Sequence, residues 1–294
     1  MTFEQAISHA SSILPYGRSE ALILLSHVLV KDKAYLYTHP HEDIDGKQAE
    51  EYADAVQKRA VGMPLQYVCG HAGFMSLDFL VNTSVLIPRP DTEILVQAVL
   101  DRYIPQKVRN VPSMPKPGHE SFCEAPQILD LCTGSGCIAV SLAYYIDNCF
   151  ITASDCSVSA LEVAKQNAAL NGVSEKITFK LSDIFNAFAG MKFDVIVSNP
   201  PYIASGDIAA LQTEIRDHEP VLALDGGPDG MFFISEIISR ASIFLKPGGM
   251  LALEVGQGQA DAAMGLITAA GCYHGAKKVD DFSGIERVVL TNIL

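Results

Sequence analysis

Asn199-Pro200-Pro201-Tyr202 is the stretch of this 294-residue sequence with the most definite chemical character. Two consecutive prolines fix φ and remove two backbone N–H donors, and Pro200 also pushes Asn199 out of the helical region. The loop is therefore stiff, and its carbonyls are left free to accept hydrogen bonds. Asn199 adds a side-chain carbonyl acceptor beside them. Two rigid acceptors next to an aromatic ring make a cradle for a planar NH2 group, with both hydrogens held and the flat face laid on Tyr202.

A second stretch, Asp130-Leu131-Cys132-Thr133-Gly134-Ser135-Gly136, has the composition of a ligand-binding turn. Gly134 and Gly136 let the backbone come close to a ligand, and the helix that follows offers free N–H groups to a carboxylate or phosphate. Asp155 stands 19 residues beyond Gly136, a spacing that suits a carboxylate gripping ribose hydroxyls. Asp183 offers an acceptor for an adenine amino group just past a third apolar run. With Ala139 in the third glycine position the loop also fits a dinucleotide-binding turn, so by itself it leaves the nucleotide cofactor open.

These residues need elements to bring them together. The apolar run Phe193-Asp194-Val195-Ile196-Val197-Ser198 reads as a buried parallel strand, which puts the tetrapeptide at a strand's carboxyl end, where open α/β sheets bind ligands. Strands are expected at 127–132, 150–154, 177–180, 193–198, 250–255 and 286–291, with helices at 137–146, 159–171, 230–244 and 259–270. The alternation predicts an α/β fold with a doubly wound parallel sheet and helices on both faces. The glycine loop, Asp155, Asp183 and the tetrapeptide then fall at the carboxyl ends of four successive strands. No Ser-His-Asp signature, metal cluster or Walker loop competes, and no metal is expected.

Residues 2 to about 70 read as a helical bundle. Phe3, Ala6, Ile7, Ala10 and Ile13 keep one face, Ala21, Leu22, Leu25, Val28 and Leu29 another, and Asp45 caps a helix carrying Tyr52, Val56 and Ala60. From Gly70 short apolar runs broken at Asn82-Thr83 suggest a β-hairpin or pair of strands, and Asp91 is placed to cap a helix through Leu100. Residues 105–126 carry five prolines without apolar periodicity and read as a surface loop. The expected domains are a helical bundle at 1–72, a β-hairpin linker at 73–88 and an α/β domain at 89–294.

Composition narrows the classes. Hydrophobic residues at 49% and charged residues at 19% are ordinary for a globular chain of one or two domains. A formal net charge of -13 argues against broad, phosphate-neutralising contact with nucleic acid, and the first 70 residues carry six Lys/Arg against nine Asp/Glu. No apolar segment approaches the length of a membrane span, and residues 1–10 lack the regions of a secretory signal, so a cytoplasmic location is expected. The seven cysteines form no Cys-x-x-Cys pair and read as reduced thiols, Cys132 and Cys137 being small residues that pack beside a ligand.

The tetrapeptide resembles the catalytic loop of S-adenosylmethionine-dependent methyltransferases that act on exocyclic or amide nitrogens, a group that covers adenine-N6 and protein-glutamine-N5 enzymes. The whole chain is similar to the second branch, the HemK-type release-factor glutamine N5-methyltransferases. The resemblance rests on Arg59-Ala60-Val61-Gly62-Met63-Pro64-Leu65-Gln66-Tyr67, Val85 to Glu93 with its Pro88-Arg89-Pro90-Asp91-Thr92-Glu93, the tetrapeptide, and Glu214-Ile215-Arg216-Asp217-His218-Glu219-Pro220. It implies the class I S-adenosylmethionine-dependent methyltransferase fold, a Rossmann-like sheet with an N-terminal helical bundle and a hairpin linker, and it gives substrate docking to residues 1–72 and S-adenosylmethionine-dependent methyl transfer to residues 89–294. By the same resemblance Cys132, Thr133, Gly134, Ser135, Gly136, Asp155, Asp183, Ile184 and Asn199 bind S-adenosyl-L-methionine, whose product is S-adenosyl-L-homocysteine. Asn199, Pro200, Pro201 and Tyr202 hold the substrate, with Asn199, Pro200 and Tyr202 catalytic. The implied substrate is the Gln of the Gly-Gly-Gln loop of peptide-chain release factors, and a monomer without membrane or direct nucleic-acid contact is expected. Cys132 stands where the family often has Gly, and Ile184 where some relatives have an aromatic; both departures bear on cofactor affinity. The alternatives are an adenine-N6 methyltransferase acting on DNA or RNA, which wants a basic groove, and a binding module without turnover, which has no need of both Asn199 and the glycine loop.

Overall fold

The computed structural model describes residues 1–103 and 125–294, so all but the last two residues of the proline-rich stretch 105–126 lie outside the described residues. The chain folds into two compact units, one of Met1–His71 with Leu211–His218, the other of Ala72–Ala210 with Glu219–Leu294.

The smaller unit is helical: α1 (Phe3–Ser11), α2 (Gly17–Leu29), α3 (Lys33–Thr38), α4 (Gly46–Ala60), α5 (Leu65–Cys69) and, from far along the chain, α9 (Thr213–His218). Local signals start its helices. Thr2 and Gln5 form a reciprocal capping box on α1, and the Asp45 carboxylate accepts from Gln48 N at 2.8 Å to cap α4. Phe3, Ala6, Ile7 and Ala10 bury the α1 stripe against Ala21, Leu22 and Leu25 of α2, while Ile13 of the expected stripe is exposed beyond the end of α1. Arg59 is fully buried here. Its guanidinium donates to Glu20 (2.8 Å), Glu214 (2.7 Å) and the Met63 carbonyl (3.1 Å), so the charge is paired on several sides. The return of 211–218 to this unit has no signal in its apolar pattern.

The larger unit opens with a hairpin, β1 (His71–Phe74) and β2 (Leu77–Leu80), followed by α6 (Thr92–Tyr103). The hairpin turns at Met75 and Ser76, both at positive φ (50° and 59°), and not at Asn82-Thr83. Phe74 and Phe79 are buried edge to face in the core shared with α6 and the next helix. Then follow β3 (Gln127–Leu131), α7 (Cys137–Tyr145), β4 (Phe150–Asp155), α8 (Val158–Leu170), β5 (Ile177–Leu181), β6 (Phe193–Ser198), α10 (Phe232–Phe244), β7 (Leu245–Glu254), α11 (Ala260–Ala270), β8 (Tyr273–Asp280) and β9 (Glu286–Ile293).

Seven strands form one sheet in the order β5-β4-β3-β6-β7-β9-β8. The first five are mutually parallel; β9 runs antiparallel to both β7 and β8, so the sheet is mostly but not wholly parallel. Alternation along each strand divides the core. Ile128, Val195, Val197 and Ala252 face α6, α7 and α8, whereas Leu129, Ile196, Leu251 and Leu253 face α10 and α11. The sequence pattern does not foresee β8: it is an edge strand with Lys277 and Lys278, a Gly at φ 65° and no fully buried residue, so it lacks the apolar run that marks a central strand.

Candidate active site

Parallel pairing assembles the site. Leu131 at the end of β3 lies opposite Ser198 on one side and Ser154 on the other, so Cys132, Asn199 and Asp155 leave the sheet side by side. From β3 the chain first builds outward to β4 and β5, then returns to place β6 on the opposite flank of β3. The loops after β3 and β6 thus face each other at the topological switch point of the sheet. The Ser198 hydroxyl donates to the Leu131 carbonyl at 2.7 Å and ties the two strand ends together.

A cavity of about 360 Å³ opens there. Of the residues expected from the sequence, Cys132, Thr133, Gly134, Ser135, Asp155, Asp183, Ile184, Asn199 and Pro201 line it; Gly136, Pro200 and Tyr202 do not. Gly136, at φ 80°, acts on packing: a Cβ there would lie 2.9 Å from Ala164 Cβ, where α7 meets α8. Gly134, at φ 55°, is the opposite case, since a Cβ there would meet nothing within 4 Å. Its space belongs to the cavity.

The loop is held from below and from the side. Asp130 is wholly buried and accepts from the Thr133 hydroxyl (2.6 Å) and Ala139 N (3.2 Å). Burial pushes its pKa up to about 7 against those two donors, and Oδ1 has no partner among the described residues. Asp155 Oδ2 accepts from Gly134 N and Oδ1 from Ser157 N, both at 2.9 Å, which leaves further lone pairs directed at the cavity. Burial raises its pKa too, opposed by those backbone donors. Asn167, fully buried on α8, donates to the Ser135 carbonyl (2.8 Å) and the Leu80 carbonyl (2.9 Å), joining the loop to the hairpin. Ile184 is held at φ 44°, unusual for a β-branched residue, by the Ser182 hydroxyl donating to its carbonyl at 2.9 Å. Asp183 is exposed at the rim. Burial raises the pKa of both Cys132 and Cys137, the latter to about 12, which makes them packing groups and poor nucleophiles.

Asn199 presents one end of its amide to the protein: Nδ2 donates to Thr92 Oγ1 at 3.1 Å, and Oδ1 remains as its acceptor. Tyr202 departs from expectation. Its ring packs on the core beneath α10 and α11, and its hydroxyl donates to Glu254 Oε1 at 3.3 Å, so it lies behind the loop and not on the cavity wall. The cause is the backbone. Ile203 forms a parallel bridge to Asp225, and Gln259 Nε2 donates to the Tyr202 carbonyl at 2.9 Å. Gly226 fits tightly under the loop; a Cβ there would fall 2.7 Å from Tyr202 Cα and 2.8 Å from the Pro201 carbonyl, and one on Gly230 would collide with the Tyr202 carbonyl.

Residues 119–227 match the family described as Methyltransferase small domain, and residues 5–70 match the PrmC N-terminal domain. A release factor glutamine methyltransferase of Moorella thermoacetica is 39% identical over 295 residues, covering 99% of this chain and 98% of the relative. One of Clostridium acetobutylicum is 36% identical over 297 residues, with 99% and 98% covered. The chain belongs to the release factor glutamine methyltransferase family. Among solved structures it is similar to a methyltransferase from Pyrococcus furiosus, at 18% identity and TM-score 0.49 over 75% of this chain and 90% of that one.

For a member of this family the cavity has parts that the sequence reading passes over. Arg89 lines it and pairs with buried Glu219 at 2.5 Å, and Glu219 also accepts from Ile87 N at 3.3 Å. Both residues lie in stretches quoted for the family resemblance, but no pattern in either stretch marks a salt bridge. Thr92 reads as part of a helix start and turns out to be buried in the cavity wall. Leu222, Ala223 and Phe233 add an apolar side. Glu254 and Gln259 sit behind the tetrapeptide, at the end of an expected strand and the start of an expected helix, with nothing in either pattern to tie them to Tyr202. No group of three or more His, Cys, Asp or Glu among the described residues is arranged to hold a metal, and none of the described helices is long and apolar enough to cross a membrane.

Proposed function

We propose that the chain transfers a methyl group from S-adenosylmethionine to the side-chain amide nitrogen of a release factor glutamine, the Gln of a Gly-Gly-Gln loop. The observation that carries this reading is that Asn199, with its NH2 tied to Thr92, shares one cavity with the glycine loop and Asp155.

The residues present fit the cofactor. Gly134 leaves room for a ligand against the backbone, and Asp155 supplies a carboxylate for two ribose hydroxyls. Asp183 at the rim is an acceptor for the adenine amino group, and Ile184 is the apolar surface beneath the ring. When bound, S-adenosylmethionine supplies an electrophilic methyl group.

The chain's own task is to prepare the amide. An amide nitrogen is a weak nucleophile because its lone pair is delocalised into the carbonyl. Asn199 Oδ1 accepts one amide hydrogen, and the second acceptor is the Pro200 carbonyl, which no described backbone donor takes and which follows Asn199 directly although Pro200 itself is not among the lining residues. Held this way the nitrogen's lone pair points along the transfer line, and the two oxygens stabilise positive charge as it develops. A strong base is unnecessary, since a proton leaves readily once nitrogen carries that charge. Tyr202 contributes from behind, as the residue that fixes the loop, in place of the stacking role expected from the sequence. The helical unit is the docking surface for the substrate protein.

The test is methyl transfer itself. Intact release factor, a short Gly-Gly-Gln peptide, DNA and RNA are each incubated with enzyme and cofactor, and the methyl group is mapped by fragmentation mass spectrometry. Transfer to the glutamine, faster on the intact protein than on the peptide, is expected. Transfer to adenine with none to the release factor would overturn the reading, and equal rates on peptide and protein would remove the docking role alone.

A further inference from the structure

A side-chain amide has two ends of nearly the same shape, and only the oxygen end accepts a hydrogen bond. If Asn199 were turned over it would offer its NH2 to the substrate's NH2, two donors face to face. We propose that Thr92, backed by Glu254, is the positioning residue that fixes which end of the Asn199 amide faces the cavity; the inference rests on the methyl-transfer reading above.

The geometry is a chain of buried groups. Asn199 Nδ2 lies 3.1 Å from Thr92 Oγ1, and Thr92 is itself 2% exposed. A hydroxyl has one hydrogen, and the direction of that hydrogen decides what it presents to a neighbour. Pointed at Asn199, it would call for the amide oxygen; pointed away, it leaves a lone pair that calls for the NH2. Behind Thr92 is the Glu254 carboxyl, 1% exposed, whose Oε1 accepts from the Tyr202 hydroxyl at 3.3 Å. Its Oε2 has no partner of ordinary hydrogen-bond geometry among the described residues. Thr92 nevertheless stands close enough to favour the charged carboxylate as a donor, second only to burial among the influences on it.

A buried carboxylate can only accept. Once ionised, above about pH 7, it therefore draws the Thr92 hydrogen to itself, and Thr92 meets Asn199 with a lone pair. Charge around Glu254 comes from several elements: Arg287 on β9 favours the carboxylate, whereas Asp91 ahead of α6 opposes it. The Tyr202 hydroxyl after β6 lies against the same carboxyl, and Cys137 at the start of α7 is close enough to feel its charge. A protonated Glu254 can donate to Thr92 and release its hydrogen toward Asn199, which loses the bias.

Three variants test this. Thr92→Val keeps the shape and removes the hydroxyl, Thr92→Ser keeps the hydroxyl, and Glu254→Gln puts an NH2 donor behind Thr92. Thr92→Val is expected to lower kcat by about 10- to 100-fold, as for one lost positioning hydrogen bond, with KM and cofactor affinity by calorimetry close to wild type. Thr92→Ser should recover most of that loss, and Glu254→Gln should lower kcat without weakening cofactor binding. Wild-type kcat in Thr92→Val, or equal impairment in Ser and Val, overturns the proposal; wild-type kcat in Glu254→Gln overturns the part given to Glu254. Should the wild-type enzyme methylate adenine and not glutamine, the functional reading falls, but the side-chain amide protons of Asn199 still decide the inference. One of them should exchange slowly with solvent in wild type and Thr92→Ser and rapidly in Thr92→Val; equal exchange in all three overturns it.

Discussion

In the proposed mechanism, removing the Asn199 side chain takes away an acceptor where charge develops on the transferring nitrogen, yet leaves the glycine loop and Asp155 in place. Asn199→Ala is therefore expected to keep cofactor affinity while turnover falls by about 100- to 1000-fold, the usual effect of losing one transition-state partner. Single-turnover kinetics check it; a near-wild-type rate would move the acceptor role elsewhere. Asp155→Ala has the converse profile. On the proposed reading it strips a charged acceptor from two ribose hydroxyls, each such bond being worth about 1.5–3 kcal/mol, and it also orphans Gly134 N and Ser157 N. Calorimetry should show weaker S-adenosylmethionine binding, and unchanged affinity in a folded variant would remove Asp155 from the site. Both residues are legible in the sequence because each ends an apolar run. Thr92 and Glu254 are not, because what matters about them is burial next to Asn199 and Tyr202, and that depends on residues more than 50 positions away.

At the scale of elements, two glycines separate room for a ligand from room for the chain. Gly134→Ala adds a methyl group to open cavity at φ 55°, so the left-handed backbone costs about 1–2 kcal/mol while the methyl takes up space that the proposed function gives to the cofactor. Gly226→Ala drives a methyl group into Tyr202 Cα and the Pro201 carbonyl, so the Pro-Pro-Tyr loop itself must move. Cofactor affinity should fall in the first variant and survive in the second, whereas kcat should fall in the second even at saturating cofactor; calorimetry and steady-state kinetics on both proteins distinguish the two. A Gly226→Ala enzyme with wild-type kcat would show that the loop does not depend on this clamp. Apolar runs locate β3, β4 and β6 in the sequence to within a residue or so, since central parallel strands are buried on both faces, and the edge strand β5 is found by its short β-rich run Ile177-Thr178-Phe179. The edge strand β8 escapes because one side faces water, and the β1-β2 turn escapes because Met75 and Ser76 take positive φ without Gly or Asn to announce it.

Over the whole molecule the acidic balance has a consequence for stability. The chain carries a formal net charge of -13, and two of its carboxyls, Asp130 and Glu254, are buried in the larger unit with pKa values pushed up to about 7, burial being the main cause in each. For Glu254 the ordinary value is 4.5, so between that pH and about 7 the folded chain holds a proton that the unfolded chain has released. A group raised in this way contributes stability that is complete below its unfolded pKa and is lost as pH rises through its folded one. Glu254→Gln removes the titration. Relative to wild type it should therefore gain stability as the pH is taken from about 4.5 to about 7 and level off above that, at roughly 1.4 kcal/mol per unit of pKa difference. Any cost of an imperfectly paired Gln amide is the same at every pH and does not change that slope. The chain has no Trp, so urea unfolding followed by circular dichroism is the suitable measurement. A stability difference that does not vary with pH would mean that Glu254 titrates near its ordinary value, with water reaching it in the folded state. A rising difference, together with a lower kcat in the same variant, would mark Glu254 as a group whose charge costs the fold stability while it holds the site in order.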